Sequence, residues 1–329
     1  MNSIYHFFRL IRIGNLIILG FTQYLIKVSL INVFIRESAL TNIQFAYLVI
    51  STLCITAAGY IINDLYDLKT DMVNREKDII IENHISTHNA SIWCFILNIS
   101  GLILGTIIAF AIEKELFTLI FLYCIFSLWH YSKNLKTSFL KGNLQVSFLI
   151  GLSIFNVALF DLLPATEENN DVGFSILFKI VCIYSIFAFF LTLIRELIKD
   201  IEDIEGDKII RAKTVPIISG IKRTKHVILS LCIIVMTGIA LWQYFQYSLH
   251  YSSFLLEKDD QFFTHMNIWG TDKIAIGYTI LIQLLMILLI YKILKAKFKV
   301  DFQYASTLAK IIMITGILSI PLFTKIYLL

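Results

Sequence analysis

Residues 63–71 read NDLYDLKTD and follow directly on the run FAYLVISTLCITAAGYII at 45–62. A predominantly apolar run of that length can cross the hydrocarbon of a bilayer as a helix, so Asp64, Asp67 and Asp71 stand where a membrane segment ends. The rest of the chain repeats the signal. Its 329 residues are 57% hydrophobic and 16% charged, with a mean hydropathy of +0.76, against roughly 45–50% apolar and 25% charged in a soluble domain. Stretches of spanning length fall at about 14–35, 42–62, 91–112, 115–130, 143–163, 172–194, 226–246, 273–293 and 304–326. They are continuously apolar, whereas the strands of a transmembrane barrel alternate at period two. The chain is therefore expected to be all-α, polytopic, with nine transmembrane helices. Only three prolines and no low-complexity linker interrupt it, so residues 1–329 are read as one integral-membrane domain.

Basic residues give the orientation, because cytoplasmic loops carry an excess of Lys and Arg. The N-terminal segment and every second loop together hold 20 of the 28 basic residues, while Arg36, Lys114, Lys258, Lys273 and Lys325 lie on the other side. This predicts an N-terminus inside and a C-terminus outside, in a cytoplasmic (inner) membrane. The net charge of +4 follows from that asymmetry. It does not point to nucleic acid, since no basic stripe interleaves with exposed aromatics. The opening MNSIYHFFRLIRIGNLIILG has no small-residue cleavage site and reads as a retained amphipathic lead-in. Five cysteines lie singly inside apolar runs, without a CxxC, and His84 and His88 read as a solvated helix start.

The acids carry the chemistry. Asp64, Asp67 and Asp71 are spaced i, i+3 and i+7, which places them on one face of a helix. The stretch RELIKDIEDIEGDK at 195–208 repeats that spacing with Asp200, Asp203 and Asp207, 136 residues downstream. Both clusters leave even-numbered spans, so they share the cytoplasmic side and can face each other. Ionisable residues near a bilayer are costly and mark function. Hard Mg²⁺ compensates such carboxylates, and it is commonly held by one or two of them together with substrate phosphates. Two facing triads suggest metal ions bridging to a diphosphate, and the apolar body beyond them suggests that the diphosphate carries a hydrocarbon tail.

These residues resemble the UbiA superfamily of intramembrane prenyltransferases. NDLYDLKTD matches the family's NDxxDxxxD and DIEDIEGD its DxxDxxxD. RIGN at 12–15 stands against the family's RPxN, and YSKNLK at 131–136, followed by GN at 142–143, fits the loop after the fourth helix. One region departs: where the family commonly has NRPxRPLPSGxIS, residues 74–86 read NREKDIIIENHIS. The resemblance implies nine helices around a central cavity open to the cytoplasmic side. It also implies a polyprenyl diphosphate donor, a lipophilic acceptor, surrounding membrane lipids, and Mg²⁺ on Asp64, Asp67, Asp71, Asp200, Asp203 and Asp207. Asn15, Asn63, Arg75, Tyr131, Lys136 and Lys199 are the candidate substrate-binding residues. RELIKDIEDIEGDK resembles the members that add a geranylgeranyl group to geranylgeranylglyceryl phosphate, more than those acting on aromatic quinone or haem precursors. Arg211, Lys213, Lys222, Arg223 and Lys225, just past the second triad, are candidates for holding an acceptor phosphate. An ion-coupled transporter is the competing class, but carriers place such acids near the midplane on broken helices in repeated halves.

Overall fold

The acidic clusters are brought together by nine helices that, among the described residues, are long and apolar enough to cross a membrane. The computed structural model describes residues 2–35, 38–74, 79–165, 172–255 and 270–328. A short α1 (Asn2–Leu10) lies before the first span, α2 (Ile13–Phe34). The next spans are α3 (Asn42–Asn74), α4 (Thr87–Ala111), α5 (Glu115–Leu135), α6 (Lys141–Ala165) and α7 (Val172–Glu202). Two short helices, α8 (Ile204–Ile209) and α9 (Val215–Ser219), lead into α10 (Ile221–Leu255), α11 (Lys273–Lys295) and α12 (Lys299–Leu328). Each span overlaps one of the nine apolar stretches read from the sequence.

The arrangement follows from the packing faces. Helices α2, α3, α5, α6, α7 and α12 neighbour one another in turn, α4 packs against α3 and α5, and α10 and α11 pack against α7 and α12. Without a hydrophobic drive between helices in lipid, close approach depends on small residues. Gly101 of α4 shows this: Ser51 of α3 donates its hydroxyl to the Gly101 carbonyl at 2.6 Å. A Cβ on Gly101 would meet Ile55 Cγ1 at 2.6 Å. Ser86 caps α4 by accepting from the Asn89 amide at 3.2 Å, the expected role of serine at a helix start.

Three stretches widen to π-helix: Ile26–Ile31 within α2, Ala158–Leu162 within α6 and Tyr131–Leu135 at the end of α5. The first two face each other through a buried ion pair. Lys27 Nζ meets Asp161 Oδ2 at 2.7 Å, with side chains 3% and 0% exposed. Lys27 also donates to the Leu40 carbonyl at 3.0 Å, and Asp161 Oδ1 accepts from the Leu40 amide at 2.9 Å. At 1.5 Å per residue this pair lies about 22 Å along α2 from Arg12, at the far end of the bundle from the acids.

Candidate active site

Six spans line a cavity of about 580 Å³. At one end it is acidic. Asp67 and Asp71 come from the last turns of α3, Asp200 from the last turn of α7, and Asp207 from α8. Asp203 lies between α7 and α8, at a residue with φ −96° and ψ 9° where the helix is interrupted. The first cluster thus occupies one continuous helix, as its spacing predicts, whereas the second is divided by a break at its middle acid. Five of the six predicted carboxylates line the cavity; Asp64 is not among the lining residues.

The flanking side chains explain the short motifs. Lys136, one residue past α5, donates to Asp67 Oδ2, and Asn63 donates to the same oxygen at 2.6 Å. Asn143 of α6 donates to Asp200 Oδ2 at 2.9 Å. Its neighbour Gly142 is glycine for a packing reason, since a Cβ there would stand 2.7 Å from the Leu135 carbonyl and 3.1 Å from Lys136 Cα. Burial lifts the Asp207 carboxyl above its ordinary value, Lys136 opposes the rise, and Asp203 and Asp67 add to it, to about 6. Asp67 and Asp207 belong to different clusters, so the two clusters act on each other electrostatically.

These groups suit a hard cation. The lining carboxylates supply oxygen donors only, and their mutual repulsion is relieved by divalent charge. Among the described residues no three His, Cys, Asp or Glu side chains converge into a closed ligand set. Mg²⁺ keeps several waters and takes one or two carboxylates together with phosphate oxygens.

Basic side chains line the same cavity. Arg12 joins α1 to α2 with a left-handed φ of 51°, a conformation that costs a non-glycine residue about 1–2 kcal/mol. Its guanidinium binds Asp64 at 2.7 Å and lies 4.8 Å from the Tyr60 ring centroid. Asn15 donates to the Tyr60 hydroxyl at 3.4 Å and accepts from Lys310 of α12 at 2.8 Å. Arg195 and Lys199 share Glu196, at 3.2 and 4.0 Å. Beyond these charges the cavity continues between apolar side chains including Ile18, Leu19, Phe121, Ile154 and Ile320. Ile55, which also lines it, precedes Asp67 by twelve residues, about 18 Å along α3.

Of the substrate-binding candidates, Asn15, Asn63, Tyr131, Lys136 and Lys199 line the cavity, while Arg75 lies outside the described residues. Four further polar lining residues, Arg12, Asn143, Arg195 and Lys310, have no assigned role in the sequence reading, although RIGN contains the first and the GN pair the second. The five cations at 211–225 are not among the lining residues. One of them, Lys225, instead donates to the Ala296 carbonyl at the end of α11, at 2.6 Å.

A profile of the UbiA prenyltransferase family matches residues 28–256, which include both acidic clusters. The chain belongs to the UbiA prenyltransferase family. Relatives in this family include the digeranylgeranylglyceryl phosphate synthases of Methanobrevibacter smithii and Methanosphaera stadtmanae. The first is 34% identical over 179 residues, 54% of this chain and 59% of its own. The second is 35% identical over 195 residues, 58% of this chain and 64% of its own. The chain thus spans about three-fifths of the length of these curated relatives. The enzyme of that name from Sulfurisphaera tokodaii is 30% identical over 223 residues, 68% of this chain and 72% of its own. Among solved structures, one of a UbiA homolog from Archaeoglobus fulgidus bound to GPP and Mg²⁺ superposes with a TM-score of 0.55 at 15% identity, covering 96% of this chain and 99% of its own. A structure reported for digeranylgeranylglyceryl phosphate synthase in membranes gives 0.62 at 22% identity, covering 98% and 99%. At such identities these likenesses show the fold. Family and spans together make the chain an integral membrane protein.

Proposed function

We propose that the protein transfers a prenyl group from an allylic polyprenyl diphosphate to a lipophilic acceptor, of the isoprenoid glycerol-phosphate type borne by the product name of its relatives. The observation that carries this reading is one cavity with carboxylates from two clusters at one end and an apolar body beyond them. Polar oxygen donors and a hydrocarbon channel in series fit a molecule with a diphosphate head and an isoprenoid tail.

Asp67, Asp71, Asp200, Asp203 and Asp207 would hold Mg²⁺, which when bound would supply positive charge to stabilise the departing diphosphate. The chain's own residues do the rest. Lys136 stands beside Asp67 and presents a point charge to oxygens that develop negative charge. Asn63 and Asn143 fix the orientation of Asp67 and Asp200. The C–O bond at the allylic carbon breaks with its electron pair on the diphosphate. The acceptor hydroxyl forms the new ether bond there and releases its proton to a carboxylate of the cavity wall. The apolar walls exclude water that would otherwise capture the allylic cation.

Charge asymmetry supports a cytoplasmic-membrane location with the acids on the cytoplasmic side, the N-terminus inside and the C-terminus outside, the whole chain acting as one domain. The decisive experiment supplies purified protein in nanodiscs with labelled geranylgeranyl diphosphate, Mg²⁺ and either geranylgeranylglyceryl phosphate or an aromatic acceptor. A labelled diether formed only with Mg²⁺ and the glycerol lipid is expected. Product from the aromatic acceptor alone would replace the acceptor assignment, and no diphosphate release under any condition would overturn the prenyl-transfer reading.

A further inference from the structure

Two lysines inside spans are treated in opposite ways. Lys27 is neutralised directly by Asp161 at 2.7 Å, away from the cavity. Lys310 sits eleven residues into α12, about 16 Å along the helix, and lines the cavity. Among the described residues its hydrogen bond goes to the neutral amide oxygen of Asn15 at 2.8 Å, and no carboxylate lies within ion-pair distance. Arg195, which also lines the cavity, acts on it as a like charge. Arg195 and Lys199 each lie within ion-pair distance of Glu196. Lys310 is thus a cavity-lining cation beside a second cation and without a carboxylate against it, in a setting where an uncompensated charge is disfavoured unless a ligand completes it.

We propose that Lys310, with Arg195 and Asn15, forms an anion subsite for the phosphate of the acceptor, separate from the metal-associated site of the donor diphosphate. The inference rests on the prenyl-transfer reading for the identity of the anion, and its geometry favours a phosphomonoester. The acidic end is provided with carboxylates and needs a cation before it can take a phosphate. Lys310 and Arg195 need none. One lysine from α12 and one arginine from α7 would meet one small anion, while Asn15 holds Lys310 in place. A lipid entering with its glycerol hydroxyl toward the allylic carbon would thus be anchored by its phosphate at Lys310, and its chain would share the apolar part of the cavity. The cations at 211–225, which the sequence offered for this role, are outside the lining.

The test compares geranylgeranylglyceryl phosphate with geranylgeranylglycerol, which lacks the phosphate, on wild type, Lys310→Gln and Lys310→Arg in nanodiscs. Binding is read by intrinsic fluorescence and turnover by labelled donor. Glutamine keeps an N–H for Asn15 and removes only the charge. The expected result is a loss of about 10- to 100-fold in affinity and in kcat/KM for the phosphorylated acceptor in Lys310→Gln, the range for a hydrogen bond to a charged group. Lys310→Arg should recover most of that loss, the dephosphorylated lipid should bind all three proteins equally weakly, and the donor KM should stay constant. Inorganic phosphate should compete only weakly, since it has no chain to occupy the cavity. The proposal falls if Lys310→Gln weakens both lipids alike, or if it raises the donor KM by the same factor. Charge-dependent binding of the phosphorylated lipid without any transfer would retain the subsite and overturn the prenyl-transfer reading.

Discussion

The equal spacing of Asp64 and Asp67 along α3 makes them look interchangeable, and their surroundings say otherwise. Asp67 lines the cavity, is 8% exposed in its side chain, and takes Lys136 and Asn63 on one oxygen. Asp64 points its carboxylate at Arg12 and is absent from the lining. In Asp67→Asn the shape is kept but one negative charge is removed from the cation site, and Lys136 loses its partner. Loss of one preorganised electrostatic group at the reacting centre costs about 2.7–4 kcal/mol, which at about 1.4 kcal/mol per decade is roughly 10²- to 10³-fold in kcat. In Asp64→Asn the loss passes through Arg12, a pair whose side chains are 31% and 19% exposed. Solvent screening holds such a pair to about 1 kcal/mol, or roughly fivefold. The assay is diphosphate release from labelled donor against Mg²⁺ concentration, with thermal denaturation in detergent to verify folding. Asp67→Asn should require more Mg²⁺ and turn over far more slowly, whereas Asp64→Asn should keep its Mg²⁺ requirement. Equal losses in the two variants, or a normal rate for Asp67→Asn, would refute the reasoning.

Replacing Asn143 by Leu removes the amide that holds Asp200 at 2.9 Å and should lower kcat by about tenfold or more, with Asn143→Gln partly restoring it. Gly142→Ala should have a comparable effect without touching a polar group, because its Cβ would press on the Leu135 carbonyl at 2.7 Å; unchanged kinetics would remove that contact from the account. Lys27→Met should destabilise the protein by roughly 3–5 kcal/mol, as expected when one member of a buried pair is removed, read as a lowered Tm in detergent. Lys27→Met combined with Asp161→Leu should recover part of that loss but not all, since the Leu40 amide would remain without its partner. With native cysteines replaced, Phe298→Cys should be labelled by an impermeant maleimide from the cytoplasmic side and Leu116→Cys from the other, both positions being highly exposed; the reverse pattern would invert the topology.

The spans were legible because bilayer thickness imposes a length that a run of apolar residues displays directly. Asp67, Asp71, Asp200, Asp203 and Asp207 were legible because acids at the end of such a run have few structural uses. Spacing alone could not show that α7 breaks at Asp203, since a break of one residue leaves the i, i+3, i+7 count intact. Nor could it separate Asp64 from Asp67, because their difference is set by Arg12, 52 residues away. Lys310 was hidden for a related reason. A lone lysine in an apolar run gives no sign of its partner, and Asn15 lies 295 residues from it. The cations at 211–225 drew attention by proximity in sequence to the second cluster, whereas none of the five lines the cavity, and Lys222, Arg223 and Lys225 fall in the first turns of α10.

The Lys27–Asp161 pair has an electrical consequence. Its two charges and the Leu40 backbone satisfy one another, so this end of the bundle presents no net charge for the potential across the membrane to act on. The acids stand at the other end, where their spans finish, and the potential falls over the apolar layer between. A charge crossing the full potential would gain or lose about 2.3 kcal/mol per 100 mV, but an anion departing from the acids crosses little of it. Lipid synthesis at this site should therefore run at the same rate in energised and de-energised membranes.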